Sequence, residues 1–345
     1  GPMISTRTPL RVTLGGGGTD LESYYRHGGG FIFAMGLDKY IHIAAHRPAF
    51  QSGVMLHGPE AEARERAADL KHELVRAALL AHGIEDRFEA ASIGDIAGGT
   101  GLGSSSCFLV GFLNALHALK GHTPDRQDLA EEACRIEIET LAKGIGKQDQ
   151  YMAAFGGLTT LDIAPDGTVK VEAVKLAPDL EAAFVRHTHI YYTGLRRDAA
   201  VILNDQNSAM LSDQSGSRDA VAESLGAIKA LGYRIRDAWV AGDLEGWGHM
   251  LHEHWVSKKK MSAKISWPHI DELYDHVRAN HGVLGGKVIG AGGGGFLMLF
   301  DPSDGTKLEA YMASQNMPRL KYQIDRAGAQ VLGAADPSRG IVAAR

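Results

Sequence analysis

Cysteine is nearly absent. Cys107 and Cys134 are the two in 345 residues, too few for a disulfide framework and in keeping with a reducing compartment. Positive charge is not in excess either: 36 Lys and Arg stand against 41 Asp and Glu, for a net charge of −5 and a sequence pI near 6.4. No overall basic surface therefore draws nucleic acid or acidic lipid. Apolar runs fall short of the roughly 20 residues that span a bilayer, and no signal peptide precedes the first expected strand. Gly1 and Pro2, before Met3, read as a scar of tag removal. The expectation is a soluble cytoplasmic α/β protein without membrane or nucleic-acid partners. With 44% hydrophobic residues, disorder is excluded, and the length allows one large domain or two medium ones.

Glycine is what the chain has in abundance. There are 43, and 18 of them lie in segments 15–18, 28–30, 98–103 and 285–295. Scattered glycine weakens helices and strands, whereas clustered glycine lets backbone approach a ligand and present N–H groups to phosphate. Gly28–Gly30 reads as a turn. A Walker loop is missing, because Gly286-Lys287 is followed by Val288 and Gly146-Lys147 by Gln148. Gly290, Gly292 and Gly295 match the dinucleotide fingerprint formally, but the segment after Gly295 reads as a strand. A strand–glycine turn–strand hairpin explains it better than a dehydrogenase fingerprint.

Periodicity places strands at 8–14 and at 31–47, the latter broken near Gly36, and a helix over 61–82. Helices are expected from Ser105 to Leu119 and over 126–142, then a hairpin in 157–175 around Asp166-Gly167. The pattern changes near 176–186 and a strand follows at 187–193. Long helical stretches run through 198–241, 243–261 and 268–280 before β structure returns at 287–300. A boundary near residue 185 divides the chain into domains 3–185 and 186–345.

The segment Asp95-Ile-Ala-Gly-Gly-Thr-Gly-Leu-Gly-Ser-Ser-Ser-Cys-Phe108 is the most specific. Glycines and three serines ahead of an apolar helix can wrap a polyphosphate at the helix N-terminus. The serine hydroxyls can ligate Mg2+ or bond phosphate oxygens. An ordinary serine cap would need fewer of both. Glu137 gives a test independent of any motif. Steps of about 100° per residue put it in the apolar arc of Ile136, Ala130, Ala133 and Leu141, while Glu139 points away. A carboxylate on a buried face needs a cation or an internal salt bridge.

These segments resemble the motifs of the GHMP kinases. The glycine-serine segment is similar to their phosphate loop, and Thr8-Pro-Leu-Arg-Val-Thr-Leu-Gly-Gly-Gly-Gly-Thr-Asp20 to their N-terminal motif. Lys287-Val-Ile-Gly-Ala-Gly-Gly-Gly-Gly-Phe296 resembles the C-terminal glycine motif, and Gly146-Lys-Gln-Asp-Gln-Tyr151 falls where galactokinases carry the catalytic aspartate. The resemblance implies an α+β fold with an N-terminal ribosomal-S5-like domain and a C-terminal ferredoxin-like domain. Tyr192-Thr-Gly-Leu-Arg-Arg197, His252-Glu-His-Trp-Val-Ser-Lys-Lys-Lys260 and Gly285–Gly295 resemble a sugar-1-kinase branch that acts on heptose 7-phosphates. Fucose-type kinases share several of these segments.

By that resemblance Asp149 is the base and Arg11 stabilises the transferring charge; Lys147, two residues before Asp149, is read from its position as a second stabiliser of that charge. Gly99, Thr100, Gly101, Leu102, Gly103, Ser104, Ser105 and Ser106 bind ATP phosphate. Ser105 and Glu137 hold Mg2+; Glu137 stands twelve residues before Asp149, the spacing galactokinases show. Gly17, Gly18, Thr19, Asp20, Gly292 and Gly293 contact the sugar. Gly17-Gly18 replaces the Glu-His of galactokinases, which argues against galactose. Arg196 and Arg197 hold a second substrate phosphate, with Lys258 and Lys39 behind them; the competing reading is a solvated arginine pair. His249, His252 and His254 read as a helix surface rather than a zinc site. The implied partner is a small sugar phosphate, homodimerisation being left open. The alternatives are a fucose- or mannose-type 1-kinase and a non-catalytic sugar and nucleotide sensor.

Overall fold

The computed structural model describes residues 1–195, 199–212, 214–292, 295–336 and 340–341. Two sheets organise it. The strand Met3–Gly15 is buried throughout its second half and pairs antiparallel with Gly30–His46. That long strand changes neighbour along its length. Gly30–Met35 pairs with the strand Leu158–Ile163, and Ile41–His46 with Phe88–Gly94. The break expected at Gly36 is thus a change of partner within one strand. Leu158–Ile163 turns through Asp166-Gly167 into Val169–Ala173, as the turn residues predict. The helix Ser104–Leu119 lies over this sheet with Leu109, Val110, Phe112 and Leu113 buried, and Thr6 Oγ1 donates to Gly111 O at 3.1 Å.

The second sheet has the spatial order Arg319–Leu320, Thr188–Tyr192, Phe296–Phe300, Gly285–Val288, all neighbours antiparallel. Helices fill the connection from the first strand in sequence to the second, and Thr306–Ser314 links the third to the fourth. This is the ferredoxin-like order. Gly285–Val288 and Phe296–Phe300 form the hairpin expected around the last glycine cluster, which removes the dehydrogenase reading. No helix of the described residues is long and apolar enough to cross a membrane.

Three expectations need correction. The helix over 61–82 is confined to Glu73–Ala81, where Leu74, Val75, Ala78 and Leu79 give it a face to bury. Upstream, helix-favouring composition has no such face, and Val54–His57 pairs with Glu62–Arg64 instead. Glu62 then accepts the backbone N–H groups of Lys71, at 2.5 Å, and His72, at 3.2 Å, just ahead of the helix. The connector at 176–186 is a helix, Pro178–His187, with Pro178 in its first turn and Phe184 and Val185 buried; proline there starts a helix rather than breaking one.

The boundary near 185 does not split the chain cleanly either. The strand Gln330–Asp336 returns to pair with Met3–Gly15. The helix Ser215–Ala241 also lies on the first sheet, with Tyr233 stacked on Phe31 at 4.1 Å. Gly15 permits that approach, since a Cβ there would stand 3.0 Å from the Gly232 Cα.

Candidate active site

A cavity of about 730 Å³ lies where the two glycine loops meet. Along the first loop, residues alternate. Gly99, Gly101 and Gly103 line the cavity, as do Ser104, Ser105 and Ser106 at the start of the helix. Thr100 and Leu102 turn inward and are buried. Thr100 Oγ1 donates to Ala97 O at 3.0 Å, and Leu102 O accepts the Arg11 N–H at 3.1 Å. These two side chains shape the loop, so any contact of the two residues with phosphate falls to their backbone. Gly101 touches the second loop so closely that a Cβ would lie 2.5 Å from Ile289 O, and one on Gly290 would lie 2.6 Å from Gly101 O.

Arg11, on the buried part of its strand, donates from Nε to Asp149 Oδ1 at 2.7 Å and from Nη1 to Gly101 O at 2.7 Å. The pair joins the loop to the first turn of the helix Gln148–Phe155, and both residues line the cavity. Among the described residues no hydrogen bond reaches Asp149 Oδ2, which leaves that oxygen for a ligand proton. Lys147 behaves differently from the expectation. Its ammonium donates to Glu131 Oε1 at 3.0 Å and Gly167 O at 2.9 Å, and it does not line the cavity. It ties the helix to a hairpin instead of meeting substrate.

Asp20 lines the cavity and is buried. Its carboxylate accepts from Gly18 N at 3.2 Å, Gln148 N at 3.1 Å and Gln148 Nε2 at 3.3 Å. Burial raises its pKa above the ordinary carboxylate value, against the pull of the Gln148 N–H. Gly17 and Gly18 also face the cavity. Thr19 does not: wholly buried, its Oγ1 bonds Gly16 O at 2.8 Å and Phe31 O at 3.0 Å. It bolts the turn to the neighbouring strand, which corrects its assignment to the sugar.

Glu137 is 1% exposed. The helix Arg126–Cys134 widens there into a π-helical turn, Arg135–Thr140, a distortion often found at functional sites. Burial pushes the Glu137 carboxyl up to about 7, opposed by a hydrogen bond from Ser106, and Gln150 Nε2 donates to it at 3.2 Å. The serine on Glu137 is therefore Ser106, while Ser105 is exposed and faces the cavity. The Lys143 charge also acts on this carboxyl, yet no ammonium bonds it among the described residues, and such a buried group fits a divalent cation.

The C-terminal lobe closes the cavity with Gly290, Gly292, Ile265 and Lys258. Lys39 pairs with Asp38 at 3.3 Å and lies outside the cavity. Gly293, Arg196 and Arg197 lie outside the described residues. Gln206 and Asn204, on the helix Ala199–Met210, also line the site; Gln206 Nε2 donates to Gly18 O at 3.0 Å. No motif or periodicity signals either residue. His254, expected on a helix surface, is buried. Among the described residues, His82, His117 and Glu132 bring ligand-type atoms within 4.8 Å of one another. They form a closed hydrogen-bond network instead, with Lys120 Nζ on His82 Nδ1 at 2.9 Å and His122 on His117 at 3.0 Å.

The family model for the GHMP kinases N terminal domain matches residues 68–157, and that for GHMP kinases C terminal matches 227–319, together more than half of the chain. The chain belongs to the GHMP kinases. It is therefore a kinase, of a family that uses ATP. This GHMP kinase is 27% identical over 314 residues to D-glycero-alpha-D-manno-heptose 7-phosphate kinase of Campylobacter jejuni, covering 87% of this chain and 90% of the relative. It is 25% identical to L-fucokinase/L-fucose-1-P guanylyltransferase of Bacteroides fragilis, over 90% of this chain and 36% of that protein. The crystal structure of a D-glycero-D-manno-heptose 1-phosphate kinase from Bacteroides thetaiotaomicron superposes with a TM-score of 0.78 at 21% identity, over 95% of this chain and 98% of that one. It has the same fold.

Proposed function

We propose that this kinase transfers the γ-phosphoryl group of ATP to the anomeric hydroxyl of D-glycero-D-manno-heptose 7-phosphate, yielding the 1,7-bisphosphate and ADP. The observation that carries the reading is one cavity that holds the Arg11–Asp149 pair and Asp20 beneath the serine-rich phosphate loop. The full-length relative named for a heptose 7-phosphate supports the choice of sugar.

In this reading Asp149 Oδ2 takes the proton as the O1–H bond breaks. The sugar oxygen then bonds the γ-phosphorus and the bridge to ADP breaks. Arg11 orients Asp149 through Oδ1. The glycine loop and the start of the helix Ser104–Leu119 present backbone N–H groups to the phosphates. A second cavity of about 590 Å³ shares Gly99, Ser104, Ser105 and Lys143 with the first and is walled by Ile43, Leu56, Leu74, Val75 and Phe108; it suits the nucleoside. Glu137, with Ser106 and Ser105, would hold Mg2+, which supplies positive charge to the polyphosphate when bound.

Asp20, Gly17, Gly18, Gly292 and Gly293 are assigned to the sugar, and Arg196 and Arg197 to its 7-phosphate. The last two follow Leu195, whose carbonyl accepts the Gly295 N–H at 2.6 Å. A product of this kind serves nucleotide-activated heptose made in the cytoplasm for capsule or lipopolysaccharide. The fucokinase relative keeps a fucose- or mannose-type 1-kinase as the second reading. A silent sensor has no use for an intact Asp149 and serine loop. ADP release measured over free hexoses, free heptoses and their terminal phosphates tests the proposal. Turnover confined to heptose 7-phosphate is expected, and turnover of free sugars with none on heptose 7-phosphate would sink it.

A further inference from the structure

Lys258 is buried yet lines the cavity. Its Nζ donates to Val288 O at 3.1 Å and to Gly290 O, beside the point where Gly290 meets Gly101 of the phosphate loop. Behind it, Lys287 is buried on the strand Gly285–Val288. Among the described residues, neither lysine has a carboxylate partner. One helical turn before Lys258, His254 is buried with neither ring nitrogen hydrogen-bonded.

The groups that face this cluster are cations. Arg11, from the first sheet, acts on both lysines, and Lys258 acts on Lys287 as well. The nearby acid, Asp149, is already engaged by Arg11. Holding these lysines in their charged form without an anion is costly, so the charged form calls for an anion from outside. The donor count agrees. An ammonium has three N–H donors; two are used on Val288 and Gly290, and the third is free for the cavity.

We propose that Lys258 is the catalytic cation whose third N–H meets the phosphoryl group in transit, the task that the sequence pattern assigns to Lys147. The proposal rests on the kinase reading and is indifferent to the identity of the sugar. Burial, with Arg11 beside it, brings Lys258 down to about 7. The free enzyme above that pH holds Lys258 largely as the neutral amine, both of its protons on carbonyl oxygens. Burial first, then Lys287 and Lys258, keeps His254 well below its ordinary value and hence neutral. A polyphosphate in the cavity favours the ammonium, so nucleotide binding draws a proton from solvent.

Calorimetric titration of the enzyme with MgATP at pH 8, without sugar, in two buffers of different ionisation enthalpy, counts that proton. Uptake approaching one proton per ATP is expected, and near zero in Lys258→Met. With whichever acceptor the enzyme turns over, kcat of Lys258→Met should fall about 100-fold and Lys258→Arg should recover part of it. Lys287→Met changes the neighbouring buried lysine, which does not line the cavity. It should keep activity within about threefold of wild type and leave the proton uptake unchanged, because burial and Arg11, not Lys287, hold Lys258 down. A thermal melt confirms that each variant is folded. Equal uptake in wild type and Lys258→Met, or a kcat for Lys258→Met within about threefold of wild type, overturns the proposal. The calorimetric arm needs no sugar, so its outcome is separate from the heptose assignment.

Discussion

Lys147 stands two residues from Asp149, whereas Lys258 comes from the other lobe, yet only Lys258 lines the cavity. In the N-terminal region both cations near the catalytic helix have acidic partners: Arg11 has Asp149 at 2.7 Å and Lys147 has Glu131 at 3.0 Å. The C-terminal wall leaves Lys258 and Lys287 without acidic partners among the described residues. Paired groups hold a shape, because each satisfies the other and together they fix two elements. An unpaired buried group that also lines a cavity, as Lys258 does, holds a binding capacity, because its desolvation is relieved only when a ligand arrives. Between these two lysines, adjacency in sequence to Asp149 does not decide which one reaches the cavity.

The contrast can be broken most sharply at Asp149. Asp149→Asn should lower kcat by about 10³-fold with ATP binding retained, measured by steady-state ADP release beside an equilibrium nucleotide titration. Glu137 gives a smaller effect. Glu137→Gln should weaken apparent Mg2+ affinity about tenfold, read from the Mg2+ dependence of rate. Its pH dependence follows from the raised carboxyl. The folded state holds this proton more tightly than the unfolded chain, so the metal-free protein loses stability as pH rises from the ordinary carboxylate range through about 7. Added Mg2+ should restore stability at pH 8, and Glu137→Gln should flatten the profile; melts across pH check both.

Lys147→Met belongs at the small end for activity. With the ammonium on Glu131 and Gly167, the variant should melt lower while kcat stays within about threefold. A kcat loss as large as that of Lys258→Met would erase the contrast between the two lysines. Thr19→Ala is smaller still in catalysis: loss of its two buried bonds should cost about 1–3 kcal/mol of stability, seen by denaturant unfolding, with substrate KM unchanged.

Much of the site was legible because its constraints are local. Clustered glycine and serine ahead of an apolar helix mark a phosphate loop, and the helical arc of 126–142 turns Glu137 inward. The wider π-helical turn leaves that burial intact. Resemblance placed Arg11 and Asp149 at the same centre, and the side chains do meet. What escaped depends on distant neighbours. The ammonium of a long side chain can go in many directions, so sequence spacing could not separate Lys147 from Lys258. Thr19, Thr100 and Leu102 sit within binding motifs but turn inward to build them. The segment 61–72 has helical composition without a face to bury. The strand Gln330–Asp336 reaches the first sheet only because Met3–Gly15 offers an open edge.

The proposed reaction is phosphoryl transfer to the anomeric oxygen of a heptose 7-phosphate. It is tested most directly by 31P NMR of the product formed from ATP and that sugar. A new phosphomonoester signal coupled to the anomeric proton is expected, appearing in step with ADP while the original 7-phosphate signal persists. A new phosphate on any other carbon, or ADP formed without a new sugar phosphate, would contradict it.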